Sequence, residues 1–169
     1  RTECTDAKQS KTLVAHLTAL AHLLGRANKT QQAESLMLEC LQTVSSAGGD
    51  FTLQGSVLAN LSEMYTATQQ WDKAEQYLEQ EKQLVEKYYG VGNPMVARTS
   101  LRLAQLYAQQ PDQLFKAIQT LEAIGALLES TGAQDTRTLV TVYTKLGEVA
   151  RKAGDTAKAE EADTKRDNT

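Results

Sequence analysis

The sequence predicts an all-α chain of four antiparallel helix pairs stacked as a short solenoid, and three observations predict it. Ala, Leu, Gln, Glu, Lys and Thr dominate 169 residues that hold only two prolines, a bias toward helix formers. A stripe of apolar residues with a small residue inside it recurs four times. An alanine then follows each stripe at a near-constant distance.

The stripes are Leu17, Leu20, Ala21 and Leu24; Leu58, Leu61, Ser62 and Tyr65; Ser100, Leu103, Ala104 and Tyr107; and Tyr143, Leu146, Gly147 and Ala150. Spacing of i, i+3, i+4 and i+7 places each set on one helix face. The small third member lets a second helix approach closely. The marker alanines of that helix are Ala33, Ala74, Ala117 and Ala159, lying 9, 9, 10 and 9 residues beyond the stripe. The stripes end at 24, 65, 107 and 150, spacings of 41, 42 and 43, so the period is about 42 and the turn from Gln109 to Gln113 carries one inserted residue. A plain bundle would share the stripes but not the period. Neither helix of a pair can bury its apolar face alone, so the pairs must stack, with Leu61 and Leu103 in the core.

Local signals place the eight helices at about 9–26, 30–46, 50–69, 72–89, 94–109, 112–131, 135–153 and 155–166. Asn93 before Pro94 is a strong start, because Asn caps and Pro at the first helical position loses no needed N–H. Asp50 and Asp135 can cap two first helices, Thr30, Asp112 and Asp155 three second helices, and Asp72 with Glu75 forms a capping-box pattern. Gly90, Gly132 and Gly154 stand where helices should stop. The domain then covers residues 10–166, in repeats of about 10–48, 49–91, 92–133 and 134–166. Residues 1–9 form a flank, disordered or an extension of the first helix, and 167–169 a tail.

These residues resemble the tetratricopeptide (TPR) repeat: large, large, small, large on the first helix, then alanine on the second. Repeat two is the fullest copy, with Leu58, Leu61, Ser62, Tyr65, Ala74 and Leu78, and Trp71 at the aromatic position of the turn. The long period and the stretch from Tyr89 through Gly90, Gly92, Asn93 and Pro94 to Ala97 are similar to the kinesin light chain subtype. Leu24 and Ala150 depart from that pattern by standing where it has an aromatic. Asn60 alone matches the asparagines this subtype sets on its inner face. The resemblance implies a right-handed α-α superhelix, a role as scaffold or adaptor rather than enzyme, and a protein partner held in the concave groove.

Chemistry-bearing patterns are few. His16 and His22, the two histidines, are six apart and fall on different helix faces, so they cannot share a metal. No nucleophile motif or phosphate loop is present, and the residues ask for no cofactor. Cys4 and Cys40 have no CxxC spacing and read as free thiols of a reducing compartment. A net charge of -3 and scarce aromatics (5%) argue against nucleic acid, and no apolar run is long enough for membrane insertion. The sequons at Asn28 and Asn60 read as chance matches. The start at Arg-Thr-Glu-Cys reads as an excised fragment of a longer, cytoplasmic protein.

Residues beside the stripes of first helices should line the groove. They include Arg26 in repeat one, Asn60 and Glu63 in repeat two, Arg98, Arg102 and Gln105 in repeat three, and Lys145, Glu148, Arg151 and Lys152 in repeat four. Six cations against two carboxylates make this set +4 on a chain of -3. Charge segregated against the overall balance points to an acidic peptide segment as ligand, with the Asn60 amide able to pair with its backbone. The alternative is a structural module that stacks on other repeats or on a second copy, giving a monomer or a weak homodimer. The polar second helix of repeat four, from Ala157 to Lys165, suits a solvent-facing end cap, whereas repeat one has no such cap.

Overall fold

In the computed structural model, the described residues are 2–27, 29–46, 50–130 and 136–169, with the backbone alone for 2–11, 22, 26 and 46. They form eight α-helices, one short 3-10 turn and no strand. The helices are α1 (Thr2–Arg26), α2 (Thr30–Ser46), α3 (Phe51–Ala67), α4 (Trp71–Tyr89), α5 (Pro94–Tyr107), α6 (Leu114–Ser130), α7 (Thr136–Ala153) and α8 (Thr156–Asp167). Two units divide the chain, residues 1–84 and 85–169, the boundary falling within α4.

Helix ends follow local chemistry. Asp50 Oδ1 accepts from the amides of Thr52 (3.0 Å) and Leu53 (3.2 Å), Asn93 Oδ1 from Met95 (2.9 Å), and Asp155 Oδ1 from Lys158 (3.0 Å). Each satisfies amides that the first turn leaves without a helical partner. Gly90 and Gly154 close their helices at φ of 82° and 80°, a conformation that costs a residue bearing a Cβ. Three expected caps do not cap: Asp112 lies inside the 3-10 turn that precedes α6, and the other two lie inside their helices. Thr30 is itself the first helical residue of α2, and α4 begins at Trp71, leaving Asp72 inside the first turn. There its charge favours the positive helix end rather than capping it. The inserted residue of the third turn is absorbed by the 3-10 segment Pro111–Gln113, and α6 starts after it at Leu114.

In the first unit, α1 pairs with α2, and α3 lies against both. Leu61 and Tyr65 of α3 are fully buried, with Ala33, Met37 and Cys40 of α2 and Ala74 of α4. The Tyr65 ring stacks on Tyr77 of α4, centroids 5.6 Å apart. Burial pushes the Cys40 thiol up from its ordinary value, aided by the charge of Glu39, so it stays protonated and acts as a small apolar side chain. One stripe residue departs from its register. Leu20 stands where repeats two to four place Leu61, Leu103 and Leu146, yet it is 45% exposed while those are at most 5% exposed. Contacts of α1 with α2 and α3 cover Ala21 and Val14, and no described helix covers the face that carries Leu20.

In the second unit, α5 pairs with α6, α7 packs on α6, and α8 on α7. Leu103, Ala104, Tyr107, Leu121, Leu146 and Ala150 fill the interior. Gly125 of α6 meets the Tyr143 ring of α7, where an added Cβ would lie 3.1 Å from Cε1. Gly125→Val is expected to overpack this contact and cost about 1–3 kcal/mol in urea unfolding; an unchanged midpoint would show that the Tyr143 ring can move aside.

Candidate protein-interaction site

The candidate residues fall into separate groups. In the first unit, Asn60 and Glu63 of α3 line an open cavity of about 320 Å³ between α1, α2 and α3. Its remaining wall is Ala21 and Gly25 of α1, Met37 of α2, and Met64, Ala67 and Thr68 around the end of α3. The close approach of α1 to α3 depends on the small residue Ala21, 1% exposed. Thr68 turns its hydroxyl back to the carbonyls of Met64 (3.1 Å) and Tyr65 (3.2 Å), so it spends its donor on the helix end. The Arg26 side chain lies outside the described residues.

In the second unit, Arg98, Arg102 and Gln105 occupy one face of α5 at i, i+4 and i+7, opposite to Val96, Leu103 and Tyr107 in the core. Arg98 Nη1 lies 4.0 Å from the sulfur of Met95. On α7, Lys145, Glu148 and Lys152 likewise share a face. Lys145 Nζ pairs with Glu148 at 2.7 Å, so these two charges neutralise each other locally. Arg151 departs from the groove set. It pairs with Asp163 of α8, which places its guanidinium on the side of α7 that the last helix covers. The cationic excess expected from the sequence therefore loses one member, because a residue beside the stripe can lean toward either neighbouring helix.

A second cavity, about 220 Å³, opens between α6, α7 and α8. One ion pair crosses it, Lys158 of α8 to Glu122 of α6 at 2.6 Å, while Lys165 pairs with Glu161 within α8 at 3.3 Å. Tyr143 donates its hydroxyl to Glu129, and Lys165 Nζ lies 5.7 Å from the Tyr143 ring centroid. Burial, followed by that carboxylate, pushes the Tyr143 phenol well above its ordinary range. These contacts pin α8 to α6 and α7. Among the described residues no group of His, Cys, Asp and Glu is placed to hold a metal, and no helix is long and apolar enough to cross a membrane.

The cavity walls Met37, Met64 and Ala67 were not among the residues expected from sequence. Their signal is weak: two methionines on different helices have no shared register until α2 and α3 are packed together.

The repeat geometry finds its counterpart in known proteins. Residues 53–130 match the tetratricopeptide repeat family model. The fold is similar to that of BtubC (BKLC) from P. vanneervenii, with a TM-score of 0.72, 22% identity and 94% of this chain covered. Residues 53–130 thus carry tetratricopeptide repeats, and the chain has the fold of such repeat proteins. It spans 63% of the BtubC chain. A Podosopora anserina protein described as a kinesin light chain with nearly identical TPR-like repeats matches at a TM-score of 0.72 and 21% identity, covering 98% of this chain and 82% of that one. The fold here is thus similar to that of kinesin light chain-like repeat proteins. No curated protein sequence matches the chain. Tetratricopeptide folds generally mediate contacts between proteins, and the described surfaces offer positions for such contacts on both units.

Proposed function

We propose that this chain is a non-enzymatic, cytoplasmic adaptor that holds an extended segment of a partner protein against the first helices of its pairs, and that the part of the segment seated on the second unit is acidic. The observation that supports this reading is the cationic face of α5. Arg98 and Arg102 sit one turn apart on a helix whose opposite face is core, in a chain of net charge -3. A helix face that carries cations against the overall balance attracts carboxylates and orients their approach. Planar guanidinium groups suit this better than ammonium groups, since each can grip a carboxylate through two parallel N–H bonds. Lys152 of α7 adds a further exposed cation.

The experiment is a titration of acidic and neutral peptides against the wild-type chain and Arg98→Glu/Arg102→Glu. The expected result is about 5–30-fold weaker acidic-peptide binding at low salt, the span that reversing exposed Arg98 and half-buried Arg102 can supply, narrowing as salt screens them. Equal affinity of both proteins at low salt would remove the acidic ligand.

A second reading, self-assembly, is favoured by the exposed leucines of the first pair. Leu13, Leu20 and Leu23 of α1 and Leu38 of α2 are 46%, 45%, 61% and 42% exposed. Light scattering separates the two. A concentration-dependent dimer that Leu20→Glu/Leu23→Glu converts to monomer would favour assembly, and a monomer throughout would favour peptide binding.

A further inference from the structure

Three cations cluster toward the end of α7: Lys145, Arg151 and Lys152. Carboxylates occupy two of them. Lys145 is taken by Glu148 of its own helix, and Arg151 by Asp163 of α8. A glycine makes room for the second pair. A Cβ built on Gly147 would stand 3.2 Å from Asp163 Oδ1 and 3.3 Å from Arg151 Nη1, so a residue without a side chain gives the two their place over the α7 backbone. Asp163 does not depend on Arg151 alone. Its Oδ1 accepts from Arg166 Nη1 at 3.1 Å, within α8. Nor is Arg151 enclosed, since its side chain is 52% exposed. An exposed ion pair is weak and screened by salt, so exchanging one carboxylate for another costs little. The hold of α8 on the unit is separate. It comes from the Lys158–Glu122 pair and from buried Ala159 and Ala162, which keep α8 in place when Arg151 leaves.

Arg151 stands three residues after Glu148, a spacing at which helix side chains reach the same surface. Rotation about its long stem therefore carries the guanidinium between the Asp163 side of α7 and the face of Lys145, Glu148 and Lys152. We infer that Asp163 is a built-in counter-charge that withholds Arg151 from an acidic ligand: the arginine rests on Asp163 while that face is empty and transfers to a ligand carboxylate when one arrives. The inference rests on the acidic-segment reading and adds to it a residue that sets its strength. A guanidinium suits the exchange, because its forked N–H groups grip a carboxylate of either origin in the same way. Asp163 thereby lowers the affinity for acidic segments and leaves that for neutral ones as it is, so the chain discriminates by charge less than its cations alone would allow.

The probe is N-acetylated hexaglutamate, titrated at low salt against the whole chain by calorimetry. Asp163→Asn should bind it about 2–5-fold more tightly than wild type, the gain from one exposed guanidinium released to a carboxylate. Asp167→Asn removes the same charge from the same helix, where the carboxylate pairs with Arg166 and not with Arg151, and should bind like wild type. Arg151→Gln should change the affinity little on its own and should erase the gain when combined with Asp163→Asn. The Nε–H signal of Arg151, assigned by its absence from Arg151→Gln, should move when the peptide is added to wild type. An Asp163→Asn affinity equal to that of wild type or of Asp167→Asn, or a gain that survives Arg151→Gln, would overturn the inference even where Arg98→Glu/Arg102→Glu weakens binding. So would a loss of helical circular dichroism in Asp163→Asn alongside tighter binding, which would assign the gain to undocking of α8. Failure of the acidic reading looks different: hexaglutamate then binds none of these proteins, and both fall together.

Discussion

Tyr65→Ala is expected to lower the unfolding free energy by about 3–5 kcal/mol, the range for deleting a buried aromatic ring. Tyr65 of α3 is completely buried and meets α4 directly. Its ring stacks on Tyr77 of α4, and Lys73 Nζ of α4 sits 4.7 Å from its centroid. The same ammonium donates to the Tyr65 hydroxyl (3.3 Å) and pairs with Glu34 of α2 (3.3 Å). Glu34 also lies close enough for its charge to bear on the phenol. Alanine would remove apolar burial and the stack, and would leave the Glu34–Lys73 pair without its buried third member. Tyr65→Phe keeps the ring and loses one hydroxyl, so its cost should be about 0.5–1.5 kcal/mol. Urea unfolding followed by circular dichroism measures both. A loss below about 1 kcal/mol for the alanine variant would mean that α2, α3 and α4 are not tied through this residue.

Alkaline pH should destabilise the fold steeply, through the tyrosines. Burial first, and then the hydrogen bond and charge of Glu34, push the Tyr65 phenol above its ordinary range; Glu129 does the same for Tyr143. A phenol held neutral in the folded state contributes its full stabilisation below the unfolded-state pKa, about 10. Above that pH the unfolded chain loses the proton and the folded chain keeps it, so stability falls until the folded-state pKa is passed. For two such groups the loss between pH 10 and 11 is about 2 kcal/mol. Wild type should lose that much more than Tyr65→Phe/Tyr143→Phe over the same interval. Parallel pH profiles would show that both phenols ionise as readily in the fold as in the unfolded chain.

The stripes and marker alanines were legible because burial in a stacked helix pair demands the same residue sizes at the same spacing in every copy. Leu61, Leu103 and Leu146 are core for that reason, and Asp50, Asn93 and Asp155 cap because their side chains need only their own next turn. Leu20 shows the limit of that logic. Its register matches, but burial needs a covering helix, and a local pattern carries no information about whether one is present. Arg151 shows a second limit, since an ion pair with Asp163 depends on which of two neighbours a long side chain reaches. The candidate site was legible only in part. Asn60, Glu63, Arg98 and Arg102 follow from helix phase, whereas the apolar cavity required the packing of α1, α2 and α3.

The amino-acid sequence by itself determined that this chain is helical, that its repeating unit is about 42 residues, and which side of most helices turns inward. Those properties are set by spacing and size within a few turns of one helix. Tertiary structure decided which apolar residues stay in solvent, which cations are spent on ion pairs, and where an open apolar cavity remains. Each of these depends on the distance between side chains far apart in the sequence, and that distance exists only once the helices are packed.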